Sequence, residues 1–314
     1  MYRPGFCNIH TFLACLLVAL CSTRSALAAA DTYDFPTRSA VAELVCIEQV
    51  IDREGKAKSR RYNVRAQGPV HLPGDTLVEV DLKFDGPQEM QYLDQLSRAH
   101  VITFQARNLD LEDSQLMHIK DYKQLWVLNL DTTLVSDKSL PLIGTFKTLS
   151  DLRLSGTNIK GTGFEHLNKL TQLTRLNLGA LTLTMGAIAK LKPLMTHLLD
   201  FNLSRTDLTR EDCANLVNLT AAQYLDIAFN RKIDDSCAGY FTHLTKLQTL
   251  TINDTGITDK SLPILLKLPN LKQVVIRGKE FWKSGMPKNK VGHIKFVDVS
   301  AKNEVPSEVF GPLH

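Results

Sequence analysis

The chain has 314 residues, of which 44% are apolar and 22% charged, an ordinary globular balance with enough apolar material for a sizeable core. Its formal net charge is +4, and two of those excess positives, Arg3 and Arg24, sit in the first 28 residues, which hold no acid. The remaining body is close to neutral, which excludes a general electrostatic pull toward nucleic acid or an anionic membrane.

Residues 1–28 read as a secretory signal peptide. Arg3 supplies a positive start, Thr11 to Cys21 is an apolar run of eleven residues, and Ala26-Leu27-Ala28 offers a small-x-small cleavage site. Eleven residues are too few to span about 30 Å of hydrocarbon, and Arg24 interrupts any extension, so a membrane anchor is disfavoured. Leu20 directly before Cys21 fits a lipoprotein cleavage box poorly. The mature chain therefore carries no integral membrane segment and is placed outside the cytoplasm, in a periplasm, at a cell surface or in the medium.

Three cysteines leave with that leader, and Cys46, Cys213 and Cys237 remain. An odd, sparse set is not a disulfide framework, and no Cys-x-x-Cys pair offers a zinc or thioredoxin-type site.

Residues 31–76 form a predicted N-terminal helical cap. Ala40, Leu44, Ile47 and Ile51 give an i, i+4, i+7, i+11 stripe within 38–54. A basic connector from Lys56 to Arg65 follows, then Val70-His71-Leu72-Pro73.

From residue 77 to 298 the chain repeats itself. The pattern L-x-x-L-x-L recurs with first residues at Leu77, Val101, Leu125, Leu149, Leu173, Leu198, Ala222, Leu247 and Leu271, at intervals of 24 or 25 residues. Val291, Ile294 and Phe296 mark a tenth strand. In the second half of each unit, positions 16, 19 and 22 are apolar, as in Leu140/Ile143/Phe146, which a short helix or 3₁₀ turn places on one face. Ser136, Thr184, Thr209 and Thr258 stand where N-caps belong, and Asp137 and Asp259 suit the positive end of the turns that follow. One coil cannot bury both its strand and its turn, so neighbours must stack. Ten strands at about 4.8 Å make a parallel sheet roughly 45 Å long.

Thr255-Gly256-Ile257-Thr258-Asp259-Lys260-Ser261-Leu262 and Thr133 to Leu140 carry a resemblance to the bacterial secreted type of leucine-rich repeat, whose units read L-x-x-L-x-L-x-x-T-x-I-T-D-x-x-L. The resemblance implies an α/β solenoid, a right-handed superhelix with a curved parallel sheet on its concave face and short helices or 3₁₀ turns on its convex face. Leu109 and Leu181 depart from the pattern where Thr or Asn is expected, and Pro87 interrupts the first unit, so those coils are expected to be less regular. The period also differs from that of the internalin type, so an adhesion role is not implied. Residues 299–314 form a C-terminal tail.

Positions 3, 5 and 7 of each strand point to the concave face, where such solenoids bind. The candidate partner-binding set is Asn129, Asp131, Arg153, Arg175, Asn177, Asp200, Asn202, Tyr224 and Asp226. The same face takes Glu79, Asp81, Lys83, Gln105, Arg107, Asp151, Ser204, Asn253, Gln273 and Arg277. Charges are balanced and Tyr224 is the single aromatic, whereas a nucleic-acid groove would be basic and aromatic-lined. Mixed polar contacts point to a protein partner. Any one of these side chains also reads as a merely solvated strand residue, and the position-5 column as a stacked amide ladder. Asp200, Asn202 and Asp226 make a weak divalent-cation set.

Cys213, in a core leucine slot, reads as a small buried apolar residue. An inserted residue near Arg231-Lys232 shifts Cys237 into the neighbouring slot, so the two cysteines are not stacked equivalents, with a disulfide as the competing reading. Lys279, Lys283, Lys288, Lys290 and Lys295 surround Phe281, Trp282 and Met286, a stretch better read as a cap with Phe281 and Met286 in the core than as an acidic-partner site.

No HExxH, G-x-S-x-G or Walker loop occurs, and no cofactor or metal is called for. The leading functional expectation is a monomeric, non-enzymatic exported scaffold. The alternatives are a self-associating envelope or surface component and, against the signal peptide, the recognition arm of a ubiquitin-ligase-like complex.

Overall fold

The computed structural model describes residues 30–51, 56–83, 86–283 and 290–300. The expected leader, Met286 and most of the tail lie outside the described residues. In chain order the strands are β1 (Ala30–Asp34), β2 (Ala42–Ile51), β3 (Ala57–Arg65), β4 (Pro69–Pro73), β5 (Leu77–Leu82), β6 (His100–Gln105), β7 (Val127–Asn129), β8 (Asp151–Arg153), β9 (Arg175–Asn177), β10 (Asp200–Asn202), β11 (Tyr224–Asp226), β12 (Thr249–Thr251), β13 (Gln273–Ile276), β14 (Lys290–Val291) and β15 (Ile294–Asp298).

From β5 to β13 each strand pairs in parallel with the next, and β13 pairs with β15. The register matches the repeat: Leu128 faces Leu152, Leu152 faces Leu176 and Phe201 faces Leu225. Those inward residues are 0–2% exposed and join the apolar residues of the convex turns, such as Leu140, Ile143 and Phe146, in one continuous core. The chain is a leucine-rich-repeat solenoid by this architecture: one strand and one helical turn per coil, stacked so that each coil covers its neighbour.

The chain leaves each strand through a shared bend. Position 8 has positive φ in seven successive coils, at Asn108, Thr132, Gly156, Ala180, Arg205, Phe229 and Asp254. Left-handed backbone costs a non-glycine residue roughly 1 kcal/mol. A cross-coil bond offsets it, as when Thr132 N–H donates to Ser155 C=O at 2.7 Å and Phe229 N–H to Asn253 C=O at 2.9 Å. Directly after the bend, Thr133, Thr157, Thr206 and Thr255 donate their hydroxyls to the carbonyl three residues back. Asn230 replaces Thr there and is fully buried. Its Oδ1 accepts from Thr206 and Leu208 N–H, and its Nδ2 donates to the carbonyls of Leu203 and Ile227.

On the convex side, carboxylates tie one coil to the next. Asp113 accepts from the Ser136 amide and hydroxyl and the Ser139 hydroxyl. Asp235 does the same with Thr258 and Ser261. Burial works against ionisation of Asp113, but the Ser136 and Ser139 bonds outweigh it and hold its pKa below the usual value. Asp137 sits in the first turn of its own 3₁₀ helix, as expected, and also accepts from Lys160 and Gly161 N–H of the following coil. Ser136, Thr209 and Thr258 cap as expected. Thr184 does not: its hydroxyl donates to Lys160 C=O, in the coil where Leu181 breaks the pattern and Met185 stands fully exposed.

The N-terminal cap is β rather than helical, which corrects the helix expected over 38–54. β2 pairs antiparallel with both β5 and β3, so it covers the edge that the first repeat strand would leave open. Ala42, Leu44 and Cys46 are buried on alternate positions, and the β-branched run Val41, Val45, Ile47, Val50 favours a strand. Only the i, i+4 part of that stripe suits a strand: Ile47, an odd number of residues on, falls on the opposite face from Leu44 and packs with Leu77 and Ile102, and edge pairing decided between the two periods. The basic connector is β3 itself, the outer strand of the sheet. β1 and β4 form a separate two-stranded antiparallel sheet. At the other end, Phe281, Trp282 and Phe296 stack within 4.8–5.5 Å and close the core, with the β14–β15 hairpin outside.

Cys213 and Cys237 are joined in a disulfide, with Cα atoms 5.7 Å apart. This corrects the reading of Cys213 as an unbonded core filler. The slots are indeed not equivalent: Cys213 closes an α-helical turn begun at Thr209, and Cys237 a 3₁₀ turn begun at Asp234. Staggered neighbours in adjoining coils still come within bonding reach. Cys46 is free and buried.

Candidate functional site

The register places the sequence-derived set side by side on one face of the sheet. Along position 3 run Asp151, Arg175, Asp200 and Tyr224, and along position 5 run Asn129, Arg153, Asn177, Asn202 and Asp226. Asp131 and Ser204 flank them at position 7.

Position 5 is not the amide ladder that the sequence suggested. The Asn and Asp side chains turn within their own coils, with Asn177 Nδ2 also donating to Asp131 at 3.5 Å. The Oδ1 atoms of Asn129, Asn177, Asn202 and Asp226 accept the amide N–H two residues on, from Asp131, Gly179, Ser204 and Ala228, at 2.8–3.0 Å. These are Asx turns that start the bend toward the left-handed residue at position 8. Arg153 has no acceptor to offer there, and Asp131 reaches over from the previous coil to accept Ser155 N–H at 2.7 Å. Burial raises the Asp131 pKa despite that bond.

Asp151 is 2% exposed and clamped. Arg153 donates to both its oxygens, at 3.2 and 3.0 Å, and Arg175 lies 3.8 Å away. This two-pronged geometry is the strong form of an ion pair. Further along the face the direct ion pairs give way to looser contacts. Among the described residues Asp226, 7% exposed, has the Ala228 amide as its one hydrogen-bond donor. Burial pushes its pKa up to about 7, with the negative charge of Asp200 adding to the rise. Asp200, registered opposite Arg175, makes no hydrogen bond or close ion pair among the described residues; burial followed by the charge of Asp151 pushes it up to about 6 against the pull of Arg175 and Arg153. The divalent-cation set does not assemble. Asn202 Oδ1 is already used by the Ser204 amide and hydroxyl, both at 2.8 Å, and no group of three metal-ligating acids, histidines or cysteines occurs among the described residues.

Sequence reasoning missed a rim feature beside this face. Arg205 lies over the Phe229 ring at 4.1 Å, and Asp207, Arg231 and Asp254 complete a shallow concavity of about 470 Å³. Arg205, Phe229 and Asp254 all occupy position 8, so the left-handed bend turns them outward together. No motif marks that slot, and the clue lay only in its phase in the repeat.

Comparison with known proteins returned no matching family model and no matching curated protein. Among solved structures, an internalin C2 from Listeria monocytogenes is 22% identical over 69% of this chain and 85% of its own, with a TM-score of 0.49. A leucine-rich-repeat protein from Leptospira interrogans is 21% identical over 66% and 51%, with a TM-score of 0.48. Both of these structural neighbours are bacterial proteins. No described helix is long and apolar enough to cross a membrane.

Proposed function

We propose that this chain is an exported, monomeric, non-enzymatic scaffold that holds a protein partner on its concave face. The observation that carries the reading is the in-register polar face itself: charged and amide side chains from five successive strands, β7 to β11, form one surface of mixed sign. Polar, mixed-charge contacts suit recognition of another protein's surface more than stacking of bases or sugars. Export is supported by the apolar leader with its Ala26-Leu27-Ala28 site. It is supported independently by the Cys213–Cys237 disulfide, since such bonds persist in oxidising compartments.

Edge-to-edge self-association is the weaker reading. The outer strand β3 carries Lys58, Arg60, Arg61 and Arg65, and a second copy brought alongside would face like charge. Light scattering after size exclusion checks this, with a monomer mass expected at high concentration. Capture of partners from the native envelope or medium tests the concave face. Replacing Arg153, Arg175 and Asp226 together is expected to remove the captured partner, and an unchanged set of partners would sink the reading.

A further inference from the structure

Position 8 of the repeat requires only a left-handed backbone. Thr132, Gly156 and Ala180 meet that need with small side chains or none. The next two coils place Arg205 and Phe229 there, at φ of 56° and 58°, although left-handed backbone disfavours bulky residues. Phe229 is half-buried, yet its ring joins none of the apolar clusters. It lies instead against Arg205, whose guanidinium carbon sits 4.1 Å from the ring centre. The fold therefore accounts for the bend at these positions but not for the side chains that occupy it.

Four charged residues share the concavity of about 470 Å³ with that ring: Arg205, Asp207, Arg231 and Asp254. The two acids are already met from outside it. Asp207 has Lys232 at 3.7 Å, and Asp254 has Arg277 at 3.2 Å and the Asn253 amide at 3.0 Å. The two arginine side chains are exposed, and neither makes an ion pair or a hydrogen bond among the described residues. Stacking holds Arg205 by the face of its guanidinium and leaves the N–H donors in the guanidinium plane unspent. A donor fork of this kind binds a carboxylate in two-pronged form, and holding it in place beforehand lowers the ordering cost of binding.

The same wall selects among anions. Asp207 and Asp254 oppose a doubly charged group such as phosphate, whereas a singly charged carboxylate on an apolar stem can lay that stem along Phe229. Arg205 and Phe229 follow Asn202 and Asp226 by three residues, so the concavity borders the concave face.

We infer that Arg205 and Arg231, with the Phe229 ring, form a receptor for one acidic side chain, a glutamate or an aspartate, presented by the protein partner. This rests on the reading that a protein is held on the concave face, and it extends that contact to the rim.

The test is a library of random peptides displayed on phage and panned on the full mature chain, followed by titration of a synthetic copy of the most enriched peptide. Enriched peptides are expected to share a Glu or Asp at one aligned position. Arg205→Gln with Arg231→Gln is expected to weaken the peptide by about tenfold or more, and Arg231→Gln alone by a smaller factor. Neither arginine is paired within the fold, so the melting temperature is expected to stay unchanged. Lys232→Gln removes an equal charge nearby and is expected to leave the affinity almost as it was. An equal loss on Lys232→Gln, or release of the peptide by millimolar inorganic phosphate, would mean a diffuse basic patch and would overturn the receptor. So would peptides with no shared acid that ignore both arginines and lose affinity on Arg175→Ala with Tyr224→Ala, an outcome that keeps the concave-face reading. A library with no binder, or binders indifferent to rim and concave substitutions alike, would count against both.

Discussion

Asp151 and Asp226 lie on one sheet face, both less than a tenth exposed, yet they live in different electrostatic company. Asp151 is gripped by Arg153 and approached by Arg175, so its charge is compensated within the fold. Asp226 has one backbone amide and a neighbouring acid, Asp200. A buried charge with its counter-charge is part of the fold's own structure. A buried carboxylate without one is pushed toward its neutral form, as Asp226 is.

Substitutions can sharpen that contrast. The largest loss is expected from Asp151→Ala, which strands two guanidinium groups and should cost about 3 kcal/mol in denaturant unfolding. Asn230→Leu provides a neutral counterpart, since it orphans the Thr206 and Leu208 amides. A loss of about 2–3 kcal/mol is expected there, with no change in pH dependence. Opening the Cys213–Cys237 link by Cys237→Ala should also cost about 3 kcal/mol on the loop-entropy estimate, again without altering the concave face.

The unpaired acids should respond with the opposite sign. Their folded pKa values are raised, to about 7 for Asp226 and about 6 for Asp200. Once pH passes about 4, the unfolded chain releases protons that the folded chain still holds. Their contribution to stability therefore falls as pH rises from about 4 to about 7 and is flat above. Asp226→Asn removes most of that fall. Its melting temperature is expected to rise by on the order of 5 °C at pH 8 and to stay unchanged at pH 4. Asp200→Asn should move the same way by a smaller amount, about 2 °C. A drop at pH 8 in either variant would mean that the charge is already satisfied inside the fold.

What could be read from the amino acids alone was the part governed by repetition. Leu125, Leu128 and Leu130 recur in phase, so the strands, the convex turns and the concave column followed from counting. The ends were not so legible, because Leu44, Ile47 and Ile51 line one face of a helix, whereas pairing with β5 makes a strand whose two faces bury Leu44 and Ile47 separately. The bend at position 8 was hidden because Asn108, Ala180, Arg205 and Phe229 share no side-chain chemistry, and the cross-coil carbonyls that stabilise it are backbone groups. The disulfide was undervalued because the inserted residue put Cys237 out of phase, whereas proximity across coils tolerates a one-slot stagger. The ions divided similarly. Residue identity put Asp151, Asp200 and Asp226 on one face, but which of them keeps a cation depends on how Arg153 and Arg175 lean.

The central claim is that the concave face is the one that meets the partner. Site-specific photo-crosslinking asks this directly, with a benzophenone amino acid placed at Tyr224 on β11 or at Tyr240 on the convex turn Ala238–Phe241. The chain is then irradiated in its native compartment. A defined adduct from position 224 and none from position 240 is the expected result. An adduct formed only from position 240 would contradict the concave-face assignment outright.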